Sequence, residues 1–404
     1  MDIYLKEARQ MFEYTRALRR DFHQHPELGF QEVRTSGIVA RELNKLGLEV
    51  STGIAETGVV GLIRGELSES KGLPGLSETS GPVVLLRFDM DALPITEETG
   101  IDYASQNQGV MHACGHDGHT AVGLLVARLL NAHKSDWDGI VKLVFQPAEE
   151  GLGGAKRMVQ EGVLKNPPID VSIAFHLWNS KPLGWIGVTN GPAMAAAERF
   201  KIRVIGKGGH GAVPHLAVDP VLASAQIINS LQSVISRNVT PLKSGVVSVT
   251  MVHGGDAFNV IPSEVELQGT IRTFDPDVRK IVLERLNQIV TGTASAFDCQ
   301  VEIELEVLTP AVVNNHKIAK NVQEVVSKIL PECTLDTQER TMGSEDMAYM
   351  MQDIPGCYVF VGSANPDLDL VYTHHHPKFN FDERAMINAA AILTSATIRY
   401  LSTN

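Results

Sequence analysis

Apolar positions recur at helical spacing near the start of the chain, at Leu5, Ala8, Phe12, Thr15 and through residues 18–22. Residues 33–46 repeat the pattern, and Gly47 marks a helix stop. Two short apolar runs, 59–63 and 83–88, predict buried strands. Between them residues 66–81, ELSESKGLPGLSETSG, read as a solvated loop rich in Ser, Gly, Glu and Pro. Helix and strand then alternate. A helix over 118–131 clusters Ala121, Leu124, Leu125, Ala127 and Leu129, and a strand over 140–145 is ended by Pro147. A short helix over 155–161 follows, then a strand over 171–175 that ends at His176. This rhythm predicts a mixed α/β sheet with helices on its faces and ligand groups gathered at strand ends.

The rhythm changes near 185–197. A compact set follows: strand 199–205, a Gly/His loop, helix 219–236, strands 245–253 and 265–274, helix 276–296, and strand 300–307. Two helices over one face of a four-stranded antiparallel sheet fit this order, as a second domain inserted in the first. Residues 316–404 hold three helix patterns and one strand, 357–361, and complete the first domain. A length of 404 residues suits two or three domains.

Composition narrows the function. An apolar share of 44% excludes disorder as the overall state. A net charge of −12 and 6% aromatics argue against nucleic-acid binding. No apolar run approaches the roughly 18 residues of a membrane span, and the charged, amphipathic N-terminus does not read as a signal peptide. The four cysteines are scattered, which points to a reducing, cytoplasmic setting.

Metal-binding residue types meet strand-to-loop transitions at four places. Residues 112–119 hold five Cys, His and Asp side chains in HACGHDGH. On a helix Cys114 and His116 would diverge, but in an extended turn they share a side, and a thiolate beside an imidazole suits zinc or a similar cation. A reduced cysteine beside surface histidines is the plainer alternative, and the clustering weighs against it. Next, a strand stops at Pro147 and delivers Glu149 and Glu150. Adjacent carboxylates on an extended chain diverge, so one can hold metal while the other faces a water; an acidic helix N-terminus is the alternative. His176 is the third place, with a satisfied core histidine as its alternative. The fourth is His374-His375-His376, costly to bury without partners, or else a solvated loop. Together these groups could hold one or two divalent cations and spare a general base, which favours hydrolysis.

The segments RFDMDALPI, MHACGHDGHT, FQPAEEG, GGHGAVPH, NVIP, GTIRTFD, MGSED and HHPKFNFDE occur in an order that resembles the zinc-dependent aminoacylase and carboxypeptidase family of amidohydrolases. The branch it most resembles holds hippurate hydrolases, auxin-conjugate hydrolases and related N-acyl-amino-acid amidohydrolases, and the resemblance runs from Arg20 nearly to the C-terminus. It implies a mixed-sheet α/β catalytic domain over 1–186 and 309–404, with an α+β lid and dimerisation domain over 187–308. It implies Cys114, His116, Glu150, His176 and His375 as metal ligands, with Cys114 in the place of a bridging Asp, and Glu149 as general base. Spacing alone leaves the three histidines open; the family pattern, with its ligand two residues before the proline, selects His375. Asp91 would orient a ligand. His210 would donate to the oxyanion, reaching a neighbouring subunit's site, and Asn259 and Arg272 would hold substrate. The MGSED segment would support the pocket wall, with N-capping by Ser344 as the alternative. The cofactor would be one or two divalent ions, zinc first, with manganese, cobalt or nickel as alternatives. The partners would be a small N-acyl amino acid or short peptide and further copies of the chain, as a homodimer or homotetramer. Two other readings are a non-catalytic metal-binding protein and a thiol enzyme using Cys114 as nucleophile.

Overall fold

Eight strands of the first unit form one mixed sheet: β1 (Glu49–Ile54), β2 (Gly58–Arg64), β3 (Val83–Asp89), β4 (Ile140–Gln146), β5 (Val171–Pro182), β6 (Trp185–Gly187), β7 (Thr334–Asp336) and β8 (Gly356–Ala364). Their spatial order is β1-β2-β4-β3-β5-β8-β6-β7. The central four, β4, β3, β5 and β8, run parallel. They are mostly apolar and, apart from the last residues of β5, almost wholly buried, as strands covered by helices must be. The computed structural model describes residues 3–67 and 81–403, so most of the 66–81 loop lies outside the described residues.

Register decides where the strand ends fall. Asp89, the last residue of β3, pairs with Gln146, the last of β4. Arg87 of β3 pairs with Ala174 of β5, so Asp89 comes level with His176. The sequence pattern ended that strand at His176. Instead β5 runs on to Pro182, because β8 continues to pair with it, His176 opposite Phe360 and Leu177 opposite Val361. Strand β1 had no sequence signal because its side chains are exposed or half-buried throughout.

Helices α1 (Ile3–Gln10), α2 (Phe12–Gln24), α3 (Val33–Lys45), α4 (His116–Ala132), α5 (Gly154–Gln160), α6 (His316–Ile329), α7 (Ala348–Met351) and α8 (Ala385–Thr403) belong to the same unit. Helix α4 is buried almost all round and shares the core with β3, β4, β5 and α8. Gly123 permits the close approach: a Cβ there would stand 2.7 Å from both Phe88 Cγ and Phe145 Cε1. Helix α7 starts after Met347, so Ser344 does not cap it.

A second unit comprises Met194–Val312 and Thr341–Glu345. Strands Gly245–His253, Glu264–Thr273, Ala196–Ile205 and Gln300–Thr309 lie in that order, all antiparallel. Helix Pro276–Ala296 buries Val278, Val282, Leu286, Val290 and Ala294, four residues apart, against Phe200, Ile202, Leu267 and Ile271. The segment expected as one helix over 219–236 is two, Pro220–Leu231 and Ser233–Asn238. Asp219 and Asp275 accept from first-turn amides of the long helices, each followed by a proline at the first helical position. Among the described residues no helix is long and apolar enough to cross a membrane.

Filling the space at Gly123 should break the packing of α4 on the sheet. Gly123→Val is expected to destabilise the first unit by about 2 kcal/mol or more, since two aromatic rings must move; a urea melt with an unchanged midpoint would contradict this.

Candidate metal centre

The ends of the parallel strands bring the chemistry together. After β3 come Met90 and Asp91, and after β4 come Pro147 to Glu150. His176 projects from β5 at the level of Asp89. The loop before α4 supplies Cys114, and Gly115, at φ 92°, makes the left-handed turn that starts the helix at His116. The triple-histidine loop is tied to this turn, the His375 amide donating to Ala113 O at 2.8 Å. His375 itself is held left-handed at φ 66°, a strained state for a residue with a Cβ.

Among the donor sets of the described residues, three hold the expected ligands, each with its ligand atoms within 4.8 Å of one another: Cys114, His116 and His176; Cys114, Glu150 and His375; His116, Glu149 and Glu150. Cys114 belongs to two of them. Its sulfur lies 3.4 Å from His176 Nε2, and His375 Nε2 lies 3.2 Å from Glu150 Oε1. His116 Nε2 is buried without a hydrogen-bond partner among the described residues, with Asp89 Oδ2 3.6 Å away. An orphaned buried polar atom of this kind is rare and costly, and this one faces the other ligand types. The mixture of sulfur, imidazole and carboxylate fits a borderline cation such as zinc.

Outer hydrogen bonds fix how each ring points. His116 Nδ1 donates to Asp91, at 3.0 Å to its carbonyl oxygen and 3.2 Å to Oδ1, which leaves Nε2 as the atom a cation would take once its proton is displaced. The other Asp91 oxygen accepts from the Glu150 amide at 2.9 Å, so one carboxylate orients two candidate ligands. His176 Nδ1 donates to Leu177 O at 2.7 Å, leaving Nε2 toward Cys114. His374 also donates to Leu177 O, at 2.8 Å, while His376 Nδ1 accepts from the Lys378 amide. Of the three histidines, His375 is the one found in a donor set among the described residues.

Burial and neighbouring charge set the protonation. Burial, then the nearby His119 and His374, hold the His176 imidazole well below its ordinary range and keep it neutral. For His116 burial opposes the charge, but Asp89 and Asp91 outweigh it and lift the imidazole to about 10. Burial, then the carboxylates Glu150 and Glu149, push the Cys114 thiol well above its usual value. A thiol held protonated is a poor nucleophile, which disfavours the thiol-enzyme reading.

A supporting layer surrounds these groups, in which the MGSED segment was expected and the pairings of Asp89 and Asp117 were not. Asp89 accepts from His119 Nδ1 at 2.5 Å and from Arg87 at 2.6 Å, and His119 Nε2 accepts from the Leu177 amide at 3.0 Å. Asp346, from the MGSED segment, accepts from Gln146 Nε2 at 2.7 Å and the Ala155 amide at 2.8 Å. In the first turn of α4, Asp117 is buried between Arg19 Nε and His23 Nδ1, each at 2.8 Å. A charged pair four residues apart on the buried side of α2 was the available signal.

His210, Asn259 and Arg272 belong to the second unit. His210 pairs with Val260, and its Nδ1 accepts from the Ala212 amide at 3.0 Å, which places the proton of the neutral ring on Nε2. Asn259 is exposed beside it, its carbonyl accepting from the Gly211 amide at 2.8 Å. Arg272 is half-buried, donates to Thr270 Oγ1 and Ile271 O, and makes no ion pair among the described residues.

Because protons occupy Cys114 and His116 in the absence of cation, loading must displace them, and affinity must rise with pH. Zinc binding measured calorimetrically near neutral pH in buffers of different ionisation enthalpy should release at least one proton per cation. Apparent affinity should rise about tenfold for each unit of rising pH and each proton displaced. Zinc binding without proton release would remove both residues as ligands.

The chain matches the sequence profile described as peptidase family M20/M25/M40 over residues 85–399. It is 38% identical to thermostable carboxypeptidase 1 of Saccharolobus solfataricus, covering 93% of each chain. It is 40% identical to IAA-amino acid hydrolase ILR1-like 5 of Arabidopsis thaliana, covering 98% of this chain and 89% of that one. Its structure superposes on Bacillus subtilis YXEP protein, described as a dinuclear metal binding peptidase, with a TM-score of 0.84 at 34% identity, covering 98% of this chain and all (100%) of that one. By this profile match over most of its length and by these relatives, the chain belongs to peptidase family M20/M25/M40.

Proposed function

We propose that this hydrolase is a metal-dependent amidohydrolase that cleaves the amide of N-acyl amino acids or a C-terminal peptide bond. One observation carries the reading: Cys114 is shared by two donor sets, and Glu149 stands within 4.8 Å of the ligand atoms of His116 and Glu150. One or two divalent cations, zinc first and manganese, cobalt or nickel as alternatives, would polarise the scissile carbonyl and bring a water's pKa to about 7 when held by Cys114, His116, Glu150, His176 and His375.

Glu149 takes the proton from the attacking water and returns it to the departing amine nitrogen. Asp91 keeps His116 and Glu150 aimed while charge shifts. His210, with its proton on Nε2, donates to the oxyanion from a neighbouring copy in a homodimer or homotetramer. Arg272 receives the free carboxylate of the substrate through its planar fork, and Asn259 adds a polar contact. The names carboxypeptidase and IAA-amino acid hydrolase among its relatives support this substrate class. Four cysteines without disulfides support a reducing, cytoplasmic setting.

Glu149→Gln should keep its metal, read by elemental analysis, and lose about a hundredfold or more in kcat; normal turnover would take Glu149 out of the mechanism. In a panel of metal-reconstituted assays with N-acetyl, N-benzoyl and longer N-acyl amino acids and dipeptides, blocking the free carboxylate as an amide should lower kcat/KM about thirtyfold or more. Equal rates on blocked and free substrates would exclude carboxylate recognition by Arg272.

A further inference from the structure

Glu32 carries a side chain that its own helix does not use. It stands at the N-cap of α3, yet makes no cap hydrogen bond. The first-turn amides of Arg34 and Thr35 are taken instead by the Glu27 carboxylate, at 2.9 and 2.8 Å. Glu32 is fully buried and turned toward the segment that follows β4. Its Oε1 accepts from the Ala148 amide at 2.9 Å, and its Oε2 accepts from Thr57 Oγ1 at 2.5 Å.

Ala148 is the residue before Glu149, and it is left-handed at φ 54°. A residue with a Cβ holds that conformation only where its surroundings impose it. Two hydrogen bonds do so here: the amide goes to Glu32, and the carbonyl accepts from the Gly154 amide at 3.0 Å. The next amide but one, Glu150, is anchored separately on Asp91. The two neighbouring carboxylates are thus set by different groups, Glu150 through Asp91 and Glu149 through Ala148.

We propose that Glu32 is a positioning residue: by gripping the Ala148 amide it keeps that residue left-handed and aims the Glu149 carboxylate at the reacting water. This rests on Glu149 being the general base. The requirement is reach, since Ala148 needs an acceptor at one fixed distance, and not negative charge. Glutamine supplies that acceptor and offers an amide to Thr57, whereas aspartate keeps the charge and falls one methylene short. Glycine at 148 would need no such hold, because it adopts positive φ freely.

The test uses the full-length, metal-loaded enzyme, with Glu32→Asp, Glu32→Gln, Glu32→Ala, and Glu32→Ala combined with Ala148→Gly. Glu32→Asp and Glu32→Ala are expected to lose about tenfold or more in kcat, with KM and zinc affinity, read by chelator competition, within threefold of the parent. Glu32→Gln should stay within threefold in kcat, and Ala148→Gly should restore at least threefold to Glu32→Ala. Should Glu32→Ala fail to fold, the Asp and Gln pair decides alone. A defective Gln variant beside a normal Asp variant would overturn the proposal, as would loss of zinc affinity in step with kcat, or no rescue by Ala148→Gly. Glu149→Gln assayed in parallel separates the two failures: if it is active the base assignment is wrong, and if it is inert while Glu32→Asp is normal only the role of Glu32 falls.

Discussion

Ionisable groups taken out of water must neutralise one another, and that requirement organises the first unit. Within a few residues of the ends of β3, β4 and β5 lie a thiol, three imidazoles and several carboxyls, most of them buried. Those with partners are held by them: Asp89 by Arg87 and His119, His116 by Asp91, Asp117 by Arg19 and His23. Burial opposes the charge of Asp89, and the cations around it keep the carboxylate well below its ordinary range all the same. The atom left without a hydrogen-bond partner among the described residues, His116 Nε2, lies close to the Glu149 and Glu150 carboxylates. Low polarity around such a cluster strengthens every interaction inside it, so a positive ion placed there is gripped hard.

The scaffold answers this demand with stiffness. Three of the contributing strands are parallel neighbours whose register sets Asp89, Gln146 and His176 at one level. The loops that deliver the remaining groups are pinned by main-chain bonds, His375 to Ala113 and Ala148 to Gly154. Strained residues, Ala148 and His375, sit next to or among the candidate reactive groups, where fixed geometry matters most.

Much of this was legible from residue order. The strands over 83–88 and 140–145 announced themselves as short apolar runs, and the HACGHDGH and AEEG segments by their density of ligand types. What escaped was whatever depended on a distant partner. The continuation of β5 beyond His176 is imposed by β8, some 180 residues further on, and no local pattern records it. Glu32 looks like an ordinary helix-start acid until Ala148 is seen against it, and Arg19 looks like a surface cation until Asp117 is found beneath it. The break at Gln232 interrupts an apolar pattern that reads as continuous.

That overhang of β5 also bears on how such a protein can diversify. An imidazole embedded in a paired ladder, with Phe360 beside it, takes its position from the sheet and not from the connections that follow β3 and β4. Insertions or deletions in those connections, or beyond Pro182, can therefore reshape what surrounds the reacting bond while His176 keeps its place, so new selectivities can be tried without rebuilding the centre.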